Sequence, residues 1–440
     1  MKSRSLFNNA NTHTDSYYAA SAGSAPTFPK LQDNIDVEVC VVGGGFAGLS
    51  VALELAEQGK KVALLEGVKV AWGASGRNGG QIIGGWNIGY DALASQLGSD
   101  AAFMFARMAE EAKDIIYDRA ERYNIDCDIK RGYFLAAMKR AHLDYIEEHA
   151  QTLDKWTYSQ MDKPHKHTLV ARKDMGEYLQ TDRYIGGHYD EGNGHLHPLK
   201  FAMGEARAAA ALGVKIYEHS KVIRIDRNDR PMVHTAEGSV TADKLVLCGN
   251  CYLEDVAPKL KTKIMPAGTY MIATEPLPAH IAQQLVPKDM ATCDVRHILD
   301  YFRVSADNRL LFGGKTTYTG ADPKDIARTM RRDMLKVFPQ LAHVKIDYAW
   351  GGYIDLAVNR MPHVGELHEN ILYTQGFSGF GVAPTQIAGR VLAEKVMGNT
   401  ERYDVWNDIN HFTFPGGTLL RKPGFLLGSS YYYIRDFLGR

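Results

Sequence analysis

The sequence predicts an α/β protein: a Rossmann-like domain on a parallel sheet, with a second domain of α+β character, built on an antiparallel sheet, inserted into it. The main observation is local. An apolar run, Val37 to Val42, leads into Gly43, Gly45 and Gly48 on a G-x-G-x-x-G spacing. An amphipathic run from Leu49 to Gln58 follows, then a second apolar run, Val62 to Leu65, that ends on Glu66. A period of two, then a helical period, then a short apolar run give strand, helix, strand. The second observation is length: 440 residues exceed what one hydrophobic core ordinarily organises. The third is interleaving. Segments 36–90, 198–262 and 346–398 read as strand–turn–helix pieces of one domain, and 91–197 and 263–345 as the two inserted pieces.

Residues 1–35 form a polar arm that ends in a linker spaced by Pro26 and Pro29, with Tyr17 and Tyr18 as anchors on the body. Residues 91–165 are largely helical: apolar spacing predicts helices over Ala101 to Arg122 and Leu143 to Trp156, interrupted by a strand, Gly132 to Ala137. A helix from Lys200 to Ala211 stops at Gly213, and strands follow at Lys215 to Tyr217, Lys221 to Asp226 and Lys244 to Cys248. Alternation marks Met271 to Thr274, Leu299 to Val304 and Arg309 to Gly313, before a helix from Asp325 to Val337. The chain then returns to strand at Ile371 to Thr374 and to helix at Thr385 to Met397. The tail, 399–440, is aromatic and ends in a helix carrying Tyr431, Tyr432, Tyr433 and Phe437.

Composition narrows the function classes. Fifty-one basic residues balance fifty-one acidic ones, and no basic block interleaves with aromatics, so nucleic acid is not an expected partner. Five cysteines, Cys40, Cys127, Cys248, Cys251 and Cys293, form no disulfide framework and suit a reducing cytoplasm. The first residues lack an apolar core of the signal-peptide kind, and no run approaches eighteen apolar residues, so no membrane span is expected.

The chemistry of the glycine turn is phosphate binding. Gly43 makes the tight turn, Gly45 leaves room for a pyrophosphate, and Gly48 lets helix and strand approach, with Phe46 and Ala47 between them at the helix N-terminus. Glu66 follows Gly48 by eighteen positions and suits a ribose 2′-hydroxyl. Soon after comes Ser75-Gly76-Arg77-Asn78-Gly79-Gly80-Gln81, whose small residues bring main-chain N–H groups close to a flat ring while Arg77 reaches a phosphate. A second loop, Gly376-Phe377-Ser378-Gly379-Phe380-Gly381-Val382, precedes a helix whose positive end favours negative charge on a reduced isoalloxazine. Cys248-Gly249-Asn250-Cys251 reads as a tight turn at a strand end; a redox pair or half a zinc site is the other reading, and no partner pair stands at zinc spacing. Trp86, Tyr270, Tyr301, Phe302, Trp350, Tyr353 and Phe380 are candidates to wall a pocket over the ring. Lys315, Arg303 and His197 are the polar candidates in the same pieces.

These motifs together resemble the D-amino-acid-oxidase-like family of flavin amine oxidoreductases, over Val37 to about Met397. Further stretches, among them Tyr17 to Ser21, Gly194 to Pro198, Leu299 to Arg303, Lys345 to Trp350 and Phe414 to Gly417, are similar to members that act on glutamylated polyamines in putrescine degradation. The resemblance implies FAD held by Gly43, Gly45, Gly48 and Glu66, with Val222 meeting the adenine through its backbone and Gly249 and Asn250 as further cofactor contacts. The loops Ser75 to Gln81 and Ser378 to Gly381 would meet the flavin. Some members bond a cysteine to the ring; Trp350-Gly351-Gly352-Tyr353 has none, so the FAD is expected to be non-covalent. The implied activity is an FAD-dependent amine oxidase: hydride passes from the amine α-carbon to flavin N5, and molecular oxygen then yields hydrogen peroxide. Trp350, Tyr301, Lys315 and His197 stand as the candidate catalytic residues, with no metal and a monomer or homodimer expected. Two alternatives stay open at this stage. One is oxidation of a secondary amino acid such as sarcosine, with Lys315 and Arg303 on its carboxylate. The other is a flavin-binding subunit of a larger complex, docked through the tail.

Overall fold

The computed structural model describes residues 11–162, 164–296, 298–317 and 323–418. Its first sheet carries the strand order His363–His368, Ile371–Gln375, Ser239–Leu247, Asn34–Val42, Val62–Leu65, Lys215–Tyr217. Asn34–Val42 is central and runs parallel to both neighbours, so Val39, Cys40 and Val41 are buried on either face. An antiparallel strand, His363–His368, closes one edge. Strands from 34–65, 215–247 and 363–375 meet in this one sheet.

The second sheet runs Ile346–Ala357, Ile264–Thr274, Leu310–Thr317, Tyr301–Val304, Ala291–Asp294, Lys130–Ala137, Gly186–His195, Gln81–Ile82. It is antiparallel except where Ala291–Asp294 lies parallel to Lys130–Ala137. Its two faces divide the molecule. Met271, Leu311 and Trp350 join the core of the cofactor-domain helices, whereas Tyr270, Ile272, Phe302 and Phe312 join a second core closed by Met330, Met334 and Val337. Those three sit on the helix Ile326–Val337, which Asp325 caps by accepting from Arg328 N–H at 2.8 Å.

Several boundaries differ from expectation. Ile346–Ala357 pairs along its length with Ile264–Thr274, so the third cofactor-domain piece begins after it rather than at 346. The helix Ser99–Arg122, expected within the inserted domain, shares a core with the helices Phe46–Glu57 and Pro384–Val396. The short strand Gln81–Ile82 belongs to the second sheet. Only Arg224–Asp226 of the strand expected at Lys221 to Asp226 forms. Gly186–His195 is a ten-residue strand with no apolar alternation to announce it. The tail contributes the helix Glu401–Asn407, and the expected terminal helix lies outside the described residues.

Four helices of the cofactor domain are tied by one buried cation. Arg119 donates to Glu205 Oε1 at 2.8 Å, to Ser50 Oγ at 3.1 Å, to Glu54 Oε1 at 2.7 Å and to Gln386. Ser50 and Glu54 lie on Phe46–Glu57, Glu205 on Pro198–Ala211 and Gln386 on Pro384–Val396. Burial pushes the Glu205 carboxyl up to about 7, against the pull of Arg119. Removing one member of such a group strands a buried charge. Arg119→Met is therefore expected to cost roughly 3–5 kcal/mol of unfolding free energy by chemical denaturation; a cost near zero would show that the cation does not tie the helices.

Candidate functional site

A long cavity runs along the carboxyl ends of the parallel strands, where open α/β sheets bind ligands. Its walls include Val42, Leu65 and Cys248 at the strand ends, together with Val222 and Val382. At its middle is the glycine turn. Gly43 has φ +110°, and a Cβ on Gly48 would stand 1.9 Å from the Gly43 carbonyl oxygen, so only glycine permits this approach of helix to strand. The helix Phe46–Glu57 begins here with Gly45 as its N-cap. Ser75 Oγ accepts the Phe46 N–H at 2.9 Å. The N–H groups of Gly45 and Ala47 have no partner among the described residues, and both residues line the cavity. Unpaired amides at the positive end of a helix form an anion site that fits a pyrophosphate.

Glu66 lines the cavity beside the turn. Its oxygens accept from Gly44 N–H and Val68 N–H at 2.8 and 2.9 Å, which leaves acceptor capacity on each for a sugar hydroxyl. Desolvation pushes its carboxyl up to about 7, against these two hydrogen bonds. Further along, Ser220, Lys221 and Val222 form the wall. Neither the N–H nor the C=O of Val222 is hydrogen-bonded among the described residues, a donor and an acceptor suited to the edge of an adenine. Cys248, Gly249 and Asn250 lie across from the turn, Asn250 with φ 51°.

The two ring loops meet the cavity unevenly. Ser75 and Asn78 line it; Asn78 Nδ2 donates to the carbonyls of Ala74 and Ser75, and its Oδ1 accepts from Gly80 N–H at 2.7 Å, fixing the loop's turn. Gly79, Gly80 and Gln81 carry the loop to the second sheet, where Gln81 Nε2 donates to Thr292 O. Arg77, expected to reach a phosphate, is not among the residues that line the cavity. Its Nε donates to Trp72 O at 2.7 Å, one terminal nitrogen donates to Gly351 O, and the guanidinium stacks 4.4 Å from the Trp72 ring centroid. In the second loop Gly379, Gly381 and Val382 line the cavity. Gly376 and Ser378 turn inward instead, with Ser378 Oγ accepting from Ala357 N–H and donating to Gly376 O. Phe380, half-buried, is not among the lining residues.

Two of the candidate catalytic residues are structural. His197 caps the helix Pro198–Ala211 through Nδ1, which accepts from Lys200 N–H, and its Nε2 meets Ser21 Oγ at 3.0 Å. Burial first, then the nearby charge of Arg303, lowers its pKa to about 3, so it stays neutral and has no nitrogen left for substrate. Trp350 is buried edge-on to Tyr18, and its Nε1 donates to Arg77 O at 3.0 Å. The other expected wall aromatics divide similarly: Tyr270 and Phe302 face the second core, and Trp86 packs on Trp406. Tyr301 remains by the first ring loop. Cβ positions built on Gly79 and Gly313 both fall within 3 Å of its ring, and it borders an apolar patch of Tyr133, Leu135, Ile83 and Cys293. Lys315 stands two residues beyond Gly313, as the extra residue of a β-bulge where Thr316 pairs with Thr269 and Gly314 with Tyr270. It is half-buried, adopts φ 52°, and has no partner among the described residues. A long side chain held in this region costs about 1–3 kcal/mol, which marks a position set for a purpose other than pairing.

Sequence reasoning missed Asp355. It lines the cavity, accepts from Gly376 N–H, and is pushed up to about 6 by burial. Trp72, Tyr252 and Thr385 line it as well. A glycine-loop signal could not mark them, because each lies in a segment that reads as strand, turn or helix by itself. The Glu66 carboxyl gives a titration test. Its folded pKa exceeds the usual 4.5, so the stability it contributes is present below about 4.5 and lost as pH rises through about 7. Between about pH 5 and pH 7.5 the ligand-free protein should therefore lose roughly 1–2 kcal/mol more than Glu66→Gln; superimposable profiles would contradict the burial of this carboxyl.

Comparison with known proteins gives the site its class. Residues 38–395 match the family described as FAD dependent oxidoreductase, DAO. The chain is 43% identical over 428 residues to gamma-glutamylputrescine oxidoreductase of Escherichia coli K12, covering 97% of this chain and 99% of that protein. It is 40% identical to the probable oxidoreductase OrdL of Haemophilus influenzae, covering 96% and 97%. Among solved structures, L-proline dehydrogenase from P. horikoshii superposes with a TM-score of 0.70 at 19% identity, covering 85% of this chain and 97% of that one. At that identity the likeness speaks for the fold alone. No helix among the described residues is long and apolar enough to cross a membrane. The glycine turn, the unpaired amides and the family match have one conclusion: the chain belongs to the DAO family of FAD-dependent oxidoreductases and is an enzyme that oxidises amine CH–NH bonds.

Proposed function

We propose that this enzyme oxidises the free primary amine of γ-glutamylputrescine or a closely related acylated polyamine, with molecular oxygen as the final acceptor. The amine, oxygen and water then give an aldehyde, ammonia and hydrogen peroxide. The observation that carries the reading is the 43% identity to the E. coli oxidoreductase over 97% of this chain. FAD, when bound, supplies the acceptor for the hydride that leaves the amine α-carbon.

The chain's own residues bind, orient and desolvate. The amides of Gly45 and Ala47, the carboxyl of Glu66 and the main chain of Val222 are the groups to hold the cofactor. No cysteine lies in the stretch Trp350 to Tyr353, in keeping with non-covalent FAD. The patch of Tyr301, Tyr133, Leu135 and Ile83 excludes water from a methylene chain. An ammonium entering such surroundings is disfavoured, so the patch promotes the neutral amine that can release a hydride, and no side-chain base is required. Lys315 supplies a cation for the α-carboxylate at the glutamyl end of the substrate.

A panel of γ-glutamylputrescine, putrescine and sarcosine, read by peroxide release and by anaerobic bleaching of the flavin, tests the reading. γ-Glutamylputrescine should be the best substrate; sarcosine turnover with an inert γ-glutamylputrescine would overturn it. Lys315→Glu should raise KM for γ-glutamylputrescine by about tenfold to a hundredfold, the worth of a charge-assisted hydrogen bond, and change the KM for putrescine far less. Equal effects on both would remove Lys315 from the carboxylate.

A further inference from the structure

Among the described residues three Lys or Arg side chains are buried: Lys113, Arg119 and Arg303. Lys113 faces Glu110 at 2.8 Å, and Arg119 faces Glu54 and Glu205. Arg303, 2% exposed, has no carboxylate within ion-pair distance among the described residues. Its Nε donates to Gly79 O at 2.9 Å, and one terminal nitrogen donates to the Tyr18 hydroxyl at 3.3 Å. A Cβ on Gly80 would stand 3.1 Å from that same nitrogen. Gly79 and Gly80 belong to the first ring loop. Arg303 itself lies on the cofactor-facing side of the second sheet, in register with Leu311.

No carboxylate among the described residues forms an ion pair with this charge. Burial holds Tyr18 in its neutral form, and His195 and His197 are kept neutral by burial and by Arg303 itself. Burying a guanidinium without an acid is costly, and the charge acts over a longer range in a poorly solvated wall than it would in water. Every other buried cation described has its acid; the exception stands at the loop expected to touch the redox ring.

We propose that Arg303 is a positioning residue with an electrostatic role. It clamps the Gly79 carbonyl, and so the ring loop, and its uncompensated charge favours the reduced, anionic form of the bound flavin. The inference rests on the FAD site described above. Reduction by an amine transfers two electrons and one proton to the ring, which adds one negative charge; a fixed cation beside the loop stabilises that product over the oxidised ring.

The test uses holoenzyme with Arg303→Gln and Arg303→Lys, reading the midpoint potential of bound FAD and the affinity for sulfite, which adds to the ring and leaves it anionic. Arg303→Gln should shift the reduction equilibrium at least tenfold toward oxidised flavin, about 30 mV for a two-electron couple, and weaken sulfite binding in the same sense. Arg303→Lys should stay within threefold of the parent in both. A Gln variant with the parent's potential and sulfite affinity overturns the proposal. So does an equal loss in both variants, which would mean a purely structural part. Should the Gln variant not retain FAD, the Lys variant decides: parent-like values support the charge, and a tenfold loss overturns it. A parent enzyme that binds no FAD would fail the site itself, a result separate from either variant.

Discussion

The close approach of the helix Phe46–Glu57 to the strand Asn34–Val42 is the constraint on which the molecule depends. With Gly48 against the Gly43 carbonyl, the helix starts at the carboxyl edge of the central strand, and the amides of Gly45 and Ala47 have no acceptor among the described residues. Leaving main-chain donors unpaired is unfavourable unless a ligand completes them. The rest of the cofactor domain is arranged around that gap. Glu66 buttresses the turn through Gly44 N–H, Ser75 takes the one amide the ligand does not need, and Val222 presents a free donor and acceptor at the far end. Arg119 holds the helices behind the sheet so that this geometry is not soft.

The second sheet supplies the opposite wall, and its two faces have different duties. One is sealed against Met330, Met334 and Val337; the other looks toward the ring loops. On the latter face lie Tyr301, the apolar patch and Arg303. The charge pattern follows from this division. Acids line the cofactor cavity, with Glu66 and Asp355 both pushed toward neutrality by burial. Arg303, buried and without an ion pair among the described residues, stands on the sheet face next to the first ring loop. The N-terminal arm joins the two halves: Tyr17 reaches Asp307, Tyr18 reaches Arg303, and Thr12 O accepts from Trp72 Nε1.

The cofactor domain was legible because each of its signals is local. A strand, three glycines, a helix and an acid fall within Val37 to Glu66, and the structure places the glycine turn, Glu66 and Val222 on one cavity. Asp325 as a helix start and Tyr17 and Tyr18 as anchors were legible for the same reason. What failed depends on long-range pairing. Gly186–His195 has no apolar alternation, because its partners on both sides supply the packing. Ile346–Ala357 reads as cofactor domain by position, and only its register with Ile264–Thr274 assigns it elsewhere. His197 and Trp350 looked available for chemistry, yet a helix cap and a carbonyl have taken their polar atoms. Residue type states what a side chain can do; the neighbours it meets across the fold decide whether it is free to do it.

The account stands on FAD lying with its adenosine ribose at Glu66. The most direct measurement is the flavin-to-protein ratio of Glu66→Arg after purification, with circular dichroism to confirm the fold. Loss of the acceptor and introduction of a cation at that point should leave a folded protein almost free of flavin, while the parent carries one FAD per chain. A folded Glu66→Arg variant that keeps stoichiometric FAD would contradict the placement on which the chemistry depends.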